Sequence, residues 1–122
     1  VPDTIETLIQ RNLHEVFGER DVQKRRKAIA QLWTEDCVFI DHSGKTSGRD
    51  ALDRAIATLH ERLPGYVFSE LRPVDLLHES GRLAWSYGRP NQEPIKGVDV
   101  VLVREGRISL MLTFLDDVPA KL

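Results

Sequence analysis

Apolar residues recur at helical spacing in the first part of the chain and at strand spacing afterwards, and the period changes near Glu35. Ile5, Leu8, Ile9, Leu13 and Val16 make one stripe and predict a helix over Thr4–Phe17. Asp3, followed three residues later by Glu6, predicts its cap, and Gly18 its end. Asn12 interrupts the stripe. It reads either as a polar residue at the stripe's edge touching water or as one pointing into a cavity. A second helix spans Asp21–Trp33, with Val22, Ile29, Leu32 and Trp33 on one side, and its run Lys24-Arg25-Arg26-Lys27 reads as a solvated basic face. A short apolar strand, Cys37–Ile40, leads into a turn-rich loop, Asp41–Gly48. A third helix, Arg49–Leu63, presents Leu52, Ala55, Ile56, Leu59 and Leu63 and is stopped by Pro64-Gly65.

From Tyr66 onward the chain reads as strands, over Tyr66–Leu71, Val74–Glu79, Arg82–Arg89, Ile95–Val103 and Arg107–Asp116. Ser80-Gly81 and Arg104-Glu105-Gly106 are the expected tight turns. Three helices followed by consecutive antiparallel strands predict an α+β fold, a curved antiparallel sheet folded over the helices around a pocket.

The last hairpin decides which residues share a face with Asp99. A two-residue turn would force Glu105 to positive φ, which is costly. A three-residue loop needs positive φ only at Gly106 and is preferred. Val101 then faces Ser109 and Asp99 faces Met111. One face carries Asp99, Val101, Ser109, Met111, Thr113 and Leu115. The other carries Val98, Val100, Leu102, Ile108, Leu110, Leu112 and Phe114, with no polar member. A sheet apolar on both sides is covered on both sides, so a homodimer formed through the sheet is expected. The mixed face has the composition of a ligand pocket, where the Asp99 carboxyl would be desolvated and its pKa raised. Alternatively Asp99 pairs with an arginine such as Arg89, or lies at the sheet's rim.

Composition adds mainly exclusions. The 122 residues fit one domain, 1–122, with 41% apolar and 30% charged residues. A formal charge of −2 provides no field to recruit nucleic acid or anionic lipid. No apolar run approaches the roughly 20 residues of a membrane span. One cysteine, Cys37, allows no intrachain disulfide, and the N-terminus lacks a signal-peptide layout, so a cytoplasmic home is expected. His14, His42, His60 and His78 show no paired metal-ligand spacing, and no Gly-rich phosphate loop is present, so neither a metal nor a cofactor is expected. Cys37, on a short apolar strand, reads as a small buried thiol rather than a nucleophile. His42, beside Asp41, reads as a surface histidine or a secondary acid/base.

Three stretches carry a family resemblance. They are Leu32-Trp33-Thr34-Glu35-Asp36-Cys37-Val38-Phe39-Ile40-Asp41, then Gly48-Arg49-Asp50-Ala51-Leu52, and the closing Gly97-Val98-Asp99-Val100-Val101 with Glu105-Gly106-Arg107-Ile108 and Phe114-Leu115-Asp116. With them the chain resembles, over about Ile5 to Asp116, the nuclear transport factor 2-like or SnoaL-like superfamily, which includes ketosteroid isomerase. The resemblance implies a cone-shaped, cystatin-like α+β barrel, made as one SnoaL-like domain. It implies that Asp41 stands at the catalytic-base position and Asp99 at that of a protonated aspartic acid donating to a developing enolate. The oxyanion-hole tyrosine of ketosteroid isomerase is matched by Asn12.

That fold hosts isomerases, cyclases, hydrolases, dehydratases and binders without activity. One expectation is a ketosteroid isomerase-like proton-transfer enzyme on a small apolar molecule, with Asp41 as base, Asp99 as neutral acid and Asn12 as positioning group. Trp33, Phe39, Tyr66, Phe68, Trp85, Tyr87 and Met111 are the candidate walls, of which alternation turns about half of the strand members inward. A non-catalytic ligand carrier or dimeric scaffold is the alternative, with Asp41 capping the loop before the third helix. An epoxide hydrolase of the limonene type would need an arginine, such as Arg89, bridging the two aspartates.

Overall fold

Thr4 opens the first helix. Its extended backbone lets the hydroxyl accept from the Thr7 amide at 3.1 Å, and α1 (Ile5–Arg11) follows. The expected cap, Asp3, instead pairs with Arg11 at 2.8 Å. In this computed structural model, which describes residues 3–119, the helix then widens into a π-helix, Asn12–Phe17. The Gly18 amide donates to the Leu13 carbonyl, five residues back, at 2.9 Å. The π-helix buries Asn12, Leu13, Val16 and Phe17 together. The ends of the expected 1–122 domain, residues 1–2 and 120–122, lie outside the described residues.

Asp21 caps α2 (Val22–Leu32) by accepting from the Lys24 amide at 3.0 Å. The basic run on α2 is not the fully solvated face its composition suggests. Consecutive helical residues point about 100° apart, so a run of four must turn one inward. That one is Arg25, 1% exposed. It donates to Asp53 of α3 (Arg49–Arg62) at 2.6 Å and to the Glu19 carbonyl at 2.9 Å. It also reaches His60 Nδ1 at 3.4 Å, while His60 Nε2 meets the Phe17 carbonyl at 2.7 Å. A carbonyl only accepts, so Nε2 carries the proton and Nδ1 receives Arg25. Burial, helped by the Arg20 and Arg25 charges and opposed by the Phe17 bond, holds the His60 pKa below its usual value. One buried cluster thus ties the π-helix, α2 and α3 together.

The strands are β1 (Trp33–Asp41), β2 (Gly44–Ser47), β3 (Val67–Glu70), β4 (Asp75–Leu77), β5 (Ser80–Gly88), β6 (Ile95–Arg104) and β7 (Arg107–Leu115). They form one sheet in the order β2-β1-β7-β6-β5-β3, with β4 also on β5. The loop expected over Asp41–Gly48 contains β2, which folds back on β1. The sheet is mixed rather than wholly antiparallel, because β1 runs parallel to β7. α3 and five strands separate the two in sequence, so no hairpin constrains their relative direction. Among the described residues no helix is long and apolar enough to cross a membrane.

Two turns differ from expectation. The turn before β5 is at His78-Glu79, and Gly81 lies within the strand, where a Cβ would meet Ile9 Cδ1 at 2.6 Å. The β6–β7 hairpin closes with the two-residue turn Glu105-Gly106, both at positive φ (52° and 78°), with Arg104 paired to Arg107. The strained Glu105 is accompanied by a bulge at Ser109, after which Leu102 faces Leu110, Val101 faces Met111 and Asp99 faces Thr113. Turn and bulge together move the register by two residues from the expected one. An even shift preserves the faces, so Asp99, Val101, Met111, Thr113 and Leu115 still share a side. Ile108 changes sides. Expected on the outer face, it pairs with Val103 and is fully buried.

The helices cover the inner face. The outer face carries three cross-strand rows, namely Val38–Leu110–Leu102, Ile40–Leu112–Val100 and Phe114–Val98. Phe114 is 59% exposed and Leu102 41%.

Candidate functional site

The register lays out the site. Ile40 pairs with Leu112, so the next residue of β1, Asp41, comes beside Thr113, which faces Asp99. Asp41, Thr113 and Asp99 therefore form one row across β1, β7 and β6, with the outer two Cα atoms about 10 Å apart at ordinary strand spacing. Both aspartates line a cavity of about 280 Å³ between sheet and helices. Phe39, Phe68, Trp85, Tyr87, Ile95 and Leu115 form its sheet wall. Leu13 and Phe17 of the π-helix, with Ala55, Ile56 and Leu59 of α3, form its helical wall. Aromatic packing sets the sheet wall, with Phe68 stacked on Tyr87 at 3.9 Å and edge-on to Trp85 at 5.3 Å. Arg20 donates to the Tyr87 hydroxyl at 3.3 Å.

Asp99 is the buried carboxyl of this cavity, 4% exposed. Its Oδ1 accepts from Trp85 Nε1 at 3.0 Å and from Thr113 Oγ1 at 2.8 Å. Oδ2 makes neither bond and is the oxygen left open to the cavity. Burial pushes the pKa up to about 6, against the two hydrogen bonds that pull it down. Gly97, the cross-strand partner of Trp85, makes the Trp85 contact feasible. A Cβ there would meet the indole Cζ2 at 2.7 Å, so only glycine lets the ring lie over the strand.

Asp41 sits in a different environment, half-buried at the end of β1. Its Oδ1 accepts from both the amide (2.9 Å) and the hydroxyl (2.7 Å) of Ser43, an Asx turn that starts the β1–β2 hairpin. His42, Ser43, Thr58 and Arg62 complete the polar lip.

The structure thus brings Asp41, Asp99, Phe39, Phe68, Trp85 and Tyr87 to one cavity, but it places Asn12, Trp33 and Met111 behind the wall. Asn12 is buried, and its Oδ1 accepts from Trp33 Nε1 at 2.8 Å while Nδ2 meets Met111 Sδ at 3.3 Å. It neither touches water nor points into the cavity, because these three residues satisfy one another. Tyr66 is likewise outside the lining. Arg89 donates to the Pro64 carbonyl at 3.1 Å and lies over the Tyr66 ring, so it neither pairs with Asp99 nor bridges the aspartates. The epoxide-hydrolase arrangement through Arg89 is therefore not built here. Burial raises the pKa of the Cys37 thiol, against nucleophilic use. Among the described residues no three His, Cys, Asp or Glu side chains cluster as metal ligands.

Residue periodicity misses the helical wall, because a side chain facing a void and one facing a packed core occupy the same stripe. Thr113 was detectable, since it shares the Asp99 face in every even register.

The fold has counterparts among solved structures. An isomerase of the SnoaL-like family from Agrobacterium tumefaciens, so assigned provisionally, superposes with a TM-score of 0.84 at 28% identity over 91% of this chain and 96% of that one. A SnoaL-like polyketide cyclase from Jannaschia, also a provisional assignment, gives 0.76 at 16% identity over 95% and 90%. A protein with a ketosteroid isomerase-like fold from Catenulispora acidiphila, in complex with trimethylamine, gives 0.74 at 12% over 91% and 86%. No curated protein matches the chain by sequence. The sequence profile of the SnoaL-like domain matches residues 10–111, and the chain belongs to that family.

Proposed function

We propose that the cavity binds a small, largely apolar carbonyl compound and that Asp41 and Asp99 move protons on it, in an isomerase, cyclase or dehydratase type of reaction. The observation that carries this reading is two carboxyl groups on one cavity in unlike surroundings, Asp99 buried and pushed up to about 6, Asp41 half-buried at the lip. The isomerase and cyclase assignments of structural neighbours support the same class.

In the proposed step the Asp41 carboxylate takes a proton from the carbon beside the carbonyl. The electron pair moves onto the carbonyl oxygen, which accepts a hydrogen bond from the Asp99 Oδ2–H. Asp41 then returns the proton to another carbon, or the enolate carbon attacks a second carbonyl, the first carbonyl re-forms, and the new alkoxide takes the proton back from Asp41. Exchange of α-protons for deuterium in a panel of small cyclic ketones, followed by NMR, tests this. The wild type should exchange them, and Asp41→Asn, whose Oδ1 can still accept from Ser43, should keep binding and lose exchange at least 100-fold. Exchange no faster than without protein would refute the enzyme reading, and equal accelerated exchange by both proteins would refute Asp41 as its base.

A ligand carrier is the second reading. It is favoured by one observation, that Ser43 already engages Asp41 Oδ1 twice. Ketones that bind the wild type without exchange would establish it.

The outer sheet face belongs to the same proposal. Its three apolar rows, with Phe114 more than half exposed, suit a second copy of this chain. A reducing cytoplasm suits Cys37, a buried free thiol.

A further inference from the structure

The cavity's acid has a neighbour whose role goes beyond packing. Thr113 stands between Asp41 and Asp99 in the cross-strand row, on the strand that separates theirs. A threonine hydroxyl has one proton to give, and here it goes to Asp99 Oδ1 at 2.8 Å. Trp85 Nε1, which can only donate, gives its proton to the same oxygen at 3.0 Å. Two donors converge on Oδ1, and of these Trp85 cannot turn its bond around. A proton on Oδ1 would have to displace the Thr113 proton from the space between the two oxygens, whereas Oδ2, which no donor meets, takes the proton with both bonds kept. The arrangement therefore places the proton of the neutral acid on Oδ2, the oxygen open to the cavity.

We propose that Thr113 is a positioning residue, which by occupying Asp99 Oδ1 together with Trp85 fixes Oδ2 as the single oxygen that donates into the cavity. This deepens the acid role given to Asp99 above and rests on it. Thr113 acts through Asp99 and takes no proton itself.

Trp85 is a wall residue whose loss would reshape the cavity, so Thr113 offers the cleaner test. Valine replaces its hydroxyl with a methyl of nearly the same shape. Asp99 is shifted by burial and by these two donors, with no charged group among the causes, and the other titratable groups on the cavity are Asp41, His42, Arg62 and Tyr87. The experiment is a carbon-13 NMR titration of the Asp99 carboxyl in wild type, Thr113→Val and Thr113→Ser. The wild-type midpoint should lie near pH 6. Thr113→Val should raise it by about one pH unit, the size expected on losing a hydrogen bond to a charged group, and Thr113→Ser should restore it. Should the valine variant misfold, Thr113→Ala gives the same comparison without the branched side chain.

A valine or alanine midpoint equal to wild type overturns the positioning role while leaving Asp99 as an acid. A raised midpoint that serine fails to restore also overturns it, because general loosening of the site would do the same. A wild-type midpoint near 4 refutes the acid role itself and the positioning role with it.

Discussion

At Asp99 one carboxyl group meets two environments, with donors on Oδ1 and cavity on Oδ2. Its folded pKa, about 6, exceeds the value of an unfolded aspartate, so the folded state holds the proton more tightly. The stability this contributes is fully present below about pH 4 and is lost as pH rises through 6, a change of roughly 3 kcal/mol. Asp99→Asn lacks this dependence. Relative to wild type, the variant should therefore gain about that much stability between pH 4 and pH 7.5, read from urea midpoints at both pH values. A constant difference between the two proteins would show that Asp99 is not perturbed. The residue is legible in the sequence because a carboxylate in an otherwise apolar strand has few places to go. Asn12 is equally conspicuous, yet its partners are not. Nothing in its spacing identifies Trp33 and Met111, which reach it from β1 and β7.

Among the elements, the helical layer depends on one buried ion pair. Arg25–Asp53 is almost wholly buried, with side chains 1% and 9% exposed, whereas Arg26–Asp50 lies at the surface, 50% and 72% exposed. Removing one partner of a buried pair leaves an uncompensated charge. Asp53→Ala should cost about 3–5 kcal/mol in urea unfolding. Asp50→Ala should leave the midpoint almost unmoved. The helices themselves are read well from spacing, their ends to within a residue or two. The inward turn of Arg25 is not, because Asp53 and His60 come from another helix and only tertiary packing makes them its partners. The β6–β7 hairpin shows the opposite case. Its turn and bulge both differ from expectation, yet two one-residue shifts in the same direction cancel in parity. The faces of Asp99 and Thr113 could be read correctly from an incorrect register, and Ile108, caught between turn and bulge, could not.

For the whole molecule, the exposed outer face makes a definite prediction. If a second copy covers it, light scattering should give twice the chain mass, and Phe114→Lys with Leu112→Arg should give a soluble monomer. A monomeric wild type at micromolar concentration would rule the dimer out. The architecture is legible because period and element order constrain it strongly, whereas the parallel closure of β1 on β7 leaves no local trace.

That closure has a consequence for how the protein is made. β1 leaves the ribosome before the other strands of its sheet, but its parallel neighbour, β7, is the last of the seven to follow. Until then Asp41 has only its own hairpin, while Asp99 still waits for Thr113. The two aspartates can share their cavity only once β7 is in place between their strands, so a chain that stops before residue 107 has no site.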